Sequence, residues 1–191
     1  MASGLVIADA MTALRGRAYP LDKALVVVRP APGLYALRGS SEAVRALGLP
    51  SENAATPLYV GKAEQSLVSR DLRTHFATGK TGQSTLRRSL AALLREELNL
   101  TAIPRNTSRL DGSANFGLDA HGDERLTEWM VRELAIVVWE APLGSPPLKE
   151  VEAEVLVALN PPLNLTHVRD RWDVLVKARR AMATESRQWT P

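Results

Sequence analysis

Hydrophobic residues recur along this chain with two spacings, one typical of helices and one typical of buried strands. Apolar residues three or four positions apart predict amphipathic helices, and short uninterrupted apolar runs predict strands. Capping residues and glycines indicate where several helices begin and end. The predicted helices cover residues 3–14, 40–48, 67–77, 84–99, 124–134, 147–160 and 168–183. The predicted strands cover residues 24–28, 33–37, 57–61 and 135–142.

The order of these elements predicts the fold class. Residues 101–122 are rich in Asn, Ser, Gly and Asp and are predicted to form a long loop. Few strands are distributed among many helices, which favours an α/β fold of the α+β type with a small sheet. The chain has 191 residues and no convincing linker, so a single domain is expected.

Composition and charge narrow the function classes. No apolar run approaches the ~18 residues that a membrane span needs. The absence of cysteine excludes disulfides and thiolate metal sites. No basic residue precedes the apolar run at the N-terminus, which argues against a secretory signal and, with the lack of cysteine, favours a cytoplasmic protein. A net charge of +3 permits a nucleic-acid partner without requiring one.

One carboxylate lies on the apolar face of a predicted helix. On a helical wheel, Glu152 falls between Leu159 and Leu156, within the face that is expected to be buried. Glu150 and Glu154 fall on the side that faces solvent. A carboxylate directed at the core is costly unless a cation compensates its charge. Glu152 is therefore either a structural residue in a salt bridge or a functional acid.

A second group of candidates follows a predicted strand. Tyr59, Gly61 and Lys62 are residue types that suit phosphate chemistry, although a core tyrosine with a turn glycine is the simpler explanation. His75 falls on the apolar face of the next predicted helix, where a core role is the alternative to a functional one. The motif GKTG at 79–82 lacks the earlier glycine and the leading strand that a phosphate-binding loop requires.

Taken together, these motifs resemble the GIY-YIG nuclease family. PGLY, which ends at Tyr35, stands where the family has its first signature tripeptide on a strand. LYVGKA, which contains Tyr59 and Lys62, stands for the second tripeptide, one strand later. The connection between the two is longer than is usual in the family and contains an extra helical segment.

The remaining motifs of the family follow in the expected order. Arg70 and His75 lie on the next predicted helix, and Arg70 fits the family's arginine better than Arg73 if the first turn of that helix is irregular. The segment EAEVLVALNPPLN resembles the closing block of the family, with Glu152 followed twelve residues later by Asn164.

The resemblance implies a fold and an activity. The implied fold is a three-stranded antiparallel sheet flanked by helices, here with extra helices and a long loop inserted. The implied activity is hydrolysis of a DNA phosphodiester with Mg²⁺ (or Mn²⁺), the metal being held by Glu152. Either tyrosine could accept the proton of the attacking water. The implied catalytic set is Tyr35, Tyr59, Lys62, Arg70, His75 and Asn164.

The resemblance also divides the single domain into segments. These are an N-terminal extension (1–30), the first part of the family core (31–78), an insertion with an additional strand (79–147), the closing core helix (148–166) and a basic C-terminal helix (167–191). Basic residues of the insertion and the C-terminal helix are expected on solvent faces, where they could contact DNA phosphates. These residues are Lys80, Arg87, Arg88, Arg95, Arg179 and Arg180.

The leading prediction is therefore a metal-dependent DNA endonuclease. A non-catalytic nucleic-acid-binding module with the same fold is the main alternative. A small-molecule enzyme that uses a Tyr/Lys pair is a third interpretation.

Overall fold

The elements of the chain are defined by a computed structural model that describes residues 4–68, 77–107 and 115–190. The helices in this part of the chain are α1 (Gly4–Leu14), α2 (Leu21–Val27), α3 (Ser41–Ala46), α4 (Thr85–Leu93), α5 (Ala120–Glu133), α6 (Leu148–Leu159) and α7 (Asp173–Arg187). The strands are β1 (Tyr19–Pro20), β2 (Gly33–Gly39), β3 (Tyr59–Ala63), β4 (Ala102–Pro104), β5 (Phe116–Leu118) and β6 (Leu134–Glu140).

Four strands form an antiparallel sheet in the order β1-β6-β2-β3, so the predicted α+β class is confirmed. The prediction of three strands is wrong by one, because the two residues of β1 extend the sheet beyond β6. Tyr19 lies opposite Ile136 in this pairing. Pro20 is tolerated there, since a strand at the edge of a sheet needs no donor on its outer side. β3 forms the opposite edge.

The two faces of the sheet contribute to two hydrophobic clusters, because side chains alternate along each strand. Leu34, Ala36 and Val60 pack with α1 and α6 on one face. Tyr35 and Tyr59 belong to the larger cluster on the other face, which includes buried residues of α4, α5 and α7. The sheet is thus covered on both faces.

The apolar run at 24–28 forms most of α2 and not the predicted strand. Leu21, Ala24 and Val28 are buried at helical spacing, whereas Val26 is 87% exposed. A short apolar run does not by itself distinguish a strand from a helix. Pro20 decides the outcome, because its fixed φ suits the residue that precedes a helix.

The segment 101–122 is more ordered than the predicted loop. Its described residues contain β4 and β5, which pair antiparallel, and the start of α5. The carboxylate of Asp119 caps α5 by accepting a hydrogen bond of 2.7 Å from the Gly122 amide. The short helix predicted at 40–48 is confirmed as α3, where the Ser40 hydroxyl accepts from the Ala43 amide at 3.0 Å and Gly48 has a φ of 70°.

Two predicted helices have other bounds than their sequence patterns. α4 ends at Leu93, before the predicted end at 99, and α7 begins and ends later than predicted, at Asp173–Arg187. The helix predicted at 67–77 falls mostly on residues 69–76, which lie outside the described part of the chain. None of the described helices is long and apolar enough to cross a membrane. The division of the chain into an extension, a core and an insertion stays a prediction.

Candidate active site

Two tyrosines lie side by side on the face of the sheet that packs against α4 and α7. Tyr35 is in the middle of β2 and Tyr59 begins β3, and their ring centroids are 6.2 Å apart with a tilt of 37°. The two residues are 2% and 8% exposed, respectively. Two neighbouring strands thus present these tyrosines together.

Gly61 provides the space that Tyr35 occupies. Gly61 lies opposite Tyr35 in the β2–β3 pairing, and a Cβ added at Gly61 would be 2.4 Å from the Tyr35 hydroxyl oxygen. No side chain fits in that gap. The Tyr35 ring therefore occupies the space that a side chain at position 61 would take. The ring also brings the Tyr35 hydroxyl next to the backbone that leads into Lys62.

Glu152 lies on α6 beside Lys62 of β3, on the opposite face of the sheet. The Lys62 Nζ is 3.7 Å from a carboxylate oxygen of Glu152 and 3.0 Å from one of Glu64. The side chain of Glu152 is 19% exposed, whereas Glu150 and Glu154 are exposed, so the predicted orientation of the helix is confirmed.

The pKa of Glu152 reflects this position. Burial raises the pKa of Glu152 above its ordinary value, and the positive charges of Lys62 and His167 offset part of the increase. The nearby charge of Glu64 raises the pKa further. The surroundings therefore disfavour the ionised carboxylate until more positive charge arrives.

The tyrosines and Glu152 approach one another only around the outer edge of β3. Tyr59 and Lys62 are three residues apart on one strand, so their side chains leave the sheet on opposite faces. Tyr35, whose hydroxyl lies against Gly61, is the tyrosine nearer to Lys62. A phosphodiester that contacts both Tyr35 and Glu152 has to lie across this edge.

Asn164 holds the same edge by two hydrogen bonds to one residue. Its side-chain oxygen accepts from the Val60 amide at 2.9 Å, and its side-chain nitrogen donates to the Val60 carbonyl at 2.8 Å. The neighbouring Leu163 amide donates to the Leu58 carbonyl at 2.9 Å. The segment that follows α6 thus acts in place of a further strand and fixes β3 against α6.

Glu152 can hold a divalent ion, although it is a single carboxylate. No cluster of three or more potential metal ligands occurs among the described residues. Mg²⁺ does not require one, because it keeps several waters and takes one or two carboxylates together with phosphate oxygens of the substrate. A half-buried carboxylate whose pKa is raised by burial suits such an ion, so the residues present fit the metal that the resemblance implies.

The placement of Arg87 and Arg88 on the solvent side of α4 is wrong. Arg87 is fully buried, and its guanidinium pairs with Asp123 at 3.0 Å and donates to the Thr127 hydroxyl at 2.8 Å. Arg88 is 6% exposed. The cause is the insertion itself, since α5 and the residues around Thr81 cover the side of α4 that the sequence pattern assigned to water. Arg87 has no surface to offer to a phosphate.

The other basic candidates are placed differently from one another. Arg180 is exposed on α7, Lys80 is half-buried, and Arg95 pairs with Glu185 at 2.8 Å. Arg179 is half-buried, and one of its guanidinium nitrogens lies 3.5 Å from the Ser89 hydroxyl. Arg70 and His75, together with the alternative Arg73, lie outside the described residues, so their roles stay predictions.

Sequence reasoning missed that Arg88 and Arg179 approach Tyr59. Burial lowers the pKa of both Arg88 and Arg179, and the charge of Tyr59 acts in the opposite direction on each. One signal was present in the sequence. Residues 84–94 contain two adjacent arginines and no acidic residue that could pair with them within the helix.

These features define a class of protein. A small antiparallel sheet carries a tyrosine pair, and a half-buried glutamate on the closing helix lies at the same edge. The model of the GIY-YIG catalytic domain matches residues 33–187, which include both strands of the tyrosine pair and Glu152. The chain therefore belongs to the GIY-YIG family, as the sequence motifs predicted. No curated protein and no solved structure is significantly similar to it.

Family membership gives the coarse function. The GIY-YIG catalytic domain supports a nuclease-type activity with a nucleic acid as substrate, and nucleases of this family generally depend on a divalent metal.

Proposed function

We propose that the protein is an endonuclease that hydrolyses DNA phosphodiesters with Mg²⁺ or Mn²⁺. The observation that carries the proposal is Glu152. Burial opposes the ionisation of this carboxylate, and the positive charge of Lys62 offsets only part of that effect. Glu152 also lies at the edge of the sheet formed by β3, the strand that carries Tyr59. A salt bridge at this position would stabilise the fold little, because only close pairing offsets the desolvation cost of burying the two charges.

Residues on the two faces of β3 have different roles in the proposed reaction. Tyr35, in its phenolate form, accepts a proton from the attacking water. The water oxygen then forms the new bond to phosphorus as the bond from phosphorus to the 3′-oxygen breaks. Lys62 places positive charge at the phosphate, and Tyr59 positions the ring of Tyr35 by packing beside it. Glu152 holds the divalent ion. When bound, that ion stabilises the added charge on the phosphate and on the leaving oxygen.

Asn164 keeps this edge in place and does not need to touch the substrate. Its two hydrogen bonds to Val60 fix the distance between β3 and the end of α6. Arg70 and His75 complete the set that the family resemblance assigns, with Arg70 as a clamp on the phosphate.

Incubation of the purified protein with supercoiled plasmid tests the proposal directly. Nicked or linear DNA is expected with Mg²⁺ or Mn²⁺ and not with EDTA. Intact plasmid with either metal, at protein concentrations that bind the DNA, would reject the proposed activity.

A non-catalytic nucleic-acid-binding module is the second candidate. The contacts of Lys62 favour this non-catalytic candidate. The Lys62 ammonium group already neutralises part of the charge of Glu152, which could otherwise hold a metal ion, and it also pairs with Glu64. This candidate predicts DNA binding that is unaffected by metal and is accompanied by no cleavage.

A further inference from the structure

Three arginines from different elements approach one another beside Tyr59. Arg88 belongs to α4, Arg105 follows β4, and Arg179 belongs to α7. Burial, followed by the charges of Arg179 and Arg105, lowers the pKa of Arg88 to about 10. Arg88 therefore lies close enough to the other two guanidinium groups for their charges to act on it.

Contacts of the backbone and of small side chains hold this cluster. Arg88 donates to the carbonyl of Gly82 at 2.8 Å and lies 3.3 Å from the Thr85 hydroxyl. Arg105 packs on Gly82, where an added Cβ would lie 2.8 Å from its Cγ. Arg179 reaches Ser89, the residue after Arg88. These partners orient the guanidinium groups without neutralising them.

No carboxylate lies within salt-bridge distance of Arg88, Arg105 or Arg179 among the described residues. Neighbouring cations differ in this respect, since Arg87 pairs with Asp123 and Lys62 with Glu152. The Nε of Arg88 is buried and has no hydrogen-bond partner in this part of the chain. A buried cation is rarely left unpaired. Within residues 4–68, 77–107 and 115–190, the cluster therefore has no carboxylate partner.

We propose that Arg88, Arg105 and Arg179 bind a backbone phosphate of the DNA strand that neighbours the phosphate to be cut. Guanidinium groups match phosphate oxygens with paired hydrogen bonds, and three of them suit one or two successive phosphates. Arg105 is exposed and lines a cleft of about 660 Å³ together with Thr81 and Gly82, and the Gly82 carbonyl is the one that Arg88 contacts.

The position of the cluster separates it from the metal side of the site. The arginines lie on the face of the sheet that holds Tyr59, whereas Lys62 and Glu152 lie on the other. Three residues of a strand separate Tyr59 from Lys62, about 10 Å. One DNA strand that crosses the edge of β3 at Lys62, beyond the contacts of Asn164 with Val60, can therefore present one phosphate to Glu152 and the next to the arginines. This inference rests on the proposed DNA substrate, but not on cleavage.

The proposal is tested by measuring DNA binding with a protein variant that is expected not to cleave DNA. Glu152→Gln protein without metal is titrated against a short labelled DNA duplex by fluorescence anisotropy at several salt concentrations. Adding Arg179→Met is expected to weaken binding about tenfold, as loss of a charged hydrogen bond does, and to reduce the salt slope by about one unit. Lys177→Met, an exposed residue of the same helix, is the matched control and should change the affinity less than twofold.

Thermal melting without DNA separates a binding role from a structural one. Removing the cation whose charge opposes that of Arg88 should leave the melting temperature of Arg179→Met equal to or above that of its parent. Inorganic phosphate should stabilise the parent more than it stabilises this variant.

The proposal is overturned if Arg179→Met binds DNA as its parent does, or if it melts lower and loses affinity only in proportion to its unfolding. Stabilisation by inorganic phosphate with unchanged DNA affinity would reject the DNA backbone as the ligand. Because no metal or turnover enters these measurements, a failure of the cleavage proposal would appear separately.

Discussion

At the scale of single residues, folding and the proposed chemistry place opposite demands on Glu152. Its side chain is 19% exposed, and burial raises its pKa while Lys62 offsets only part of that cost. An unpaired buried charge destabilises a fold, whereas the same charge attracts a metal ion. The stability of the metal-free protein should therefore improve when this charge is removed.

We predict that Glu152→Gln is more stable than the wild type at pH 7 in EDTA. A carboxyl whose pKa is raised on folding stabilises the protein only while it is protonated. Its contribution is complete below the ordinary value of 4.5 and is lost as the pH rises through the raised value. The difference in melting temperature should thus be present at pH 7 and vanish below about pH 4. Each 1 kcal/mol corresponds to about 2–4 °C.

Glu154→Gln is the control for this measurement, because Glu154 is exposed on the same helix. Its melting temperature should follow that of the wild type at every pH. A wild type that is more stable than Glu152→Gln at pH 7 without metal would show that the Lys62 pair outweighs burial.

The tyrosines give a second prediction at this scale. Tyr35→Phe should lower the cleavage rate by about 10²–10⁴, the usual contribution of a proton acceptor, with little change in DNA affinity. Tyr19→Phe is a suitable control, since Tyr19 lies on β1 with its ring against Arg17. Single-turnover rates on a labelled duplex would check both variants. A Tyr35→Phe enzyme with the wild-type rate would remove Tyr35 from the mechanism.

At the scale of elements, the buried pair of Arg87 and Asp123 joins α4 to α5. Asp123 also accepts hydrogen bonds from the amides of Gly79 and Lys80 and from the Thr81 hydroxyl. The pair therefore fixes the residues before α4, and through Thr81 and Gly82 it supports the position of Arg88. Its effect on function is indirect.

We predict that Arg87→Met lowers the free energy of unfolding by about 3–5 kcal/mol, because it leaves the buried carboxylate of Asp123 without its cation. Urea denaturation would measure this loss. Arg132→Met breaks the exposed pair of Arg132 with Glu133 and should cost less than about 1 kcal/mol. Equal losses in the two variants would contradict a special role for the buried pair.

At the scale of the whole molecule, sequence predicted the parts of the fold that depend on neighbouring residues. The strands of Tyr35 and Tyr59 and the orientation of Glu152 follow from alternation and from helical phase within short segments. The state of Arg87 does not, because its partner Asp123 lies 36 residues later and no pattern within α4 refers to it. The strand prediction for residues 24–28 was wrong for a similar reason. Ala24 is buried and Val26 is exposed because of the elements that pack against this segment.

The same reasoning applies to the candidate site. The signature motifs located Tyr35, Tyr59, Lys62 and Glu152, but only the three-dimensional arrangement separates them into two groups on opposite faces of β3. The cluster of arginines beside Tyr59 joins α4 to α7, two elements that are distant in sequence. Such a cluster becomes visible only when the elements are packed.

The central claim is that Glu152 holds the metal at which DNA is cut, and one paired measurement tests it. Glu152→Gln and Glu154→Gln are each incubated with supercoiled plasmid and Mg²⁺ or Mn²⁺, and their DNA affinity is measured in parallel without metal. We expect Glu152→Gln to lose cleavage by at least about 10³ while it binds DNA as the wild type does, and Glu154→Gln to cut normally. Cleavage by Glu152→Gln at the wild-type rate, or loss of cleavage in Glu154→Gln instead, would contradict the assignment of Glu152.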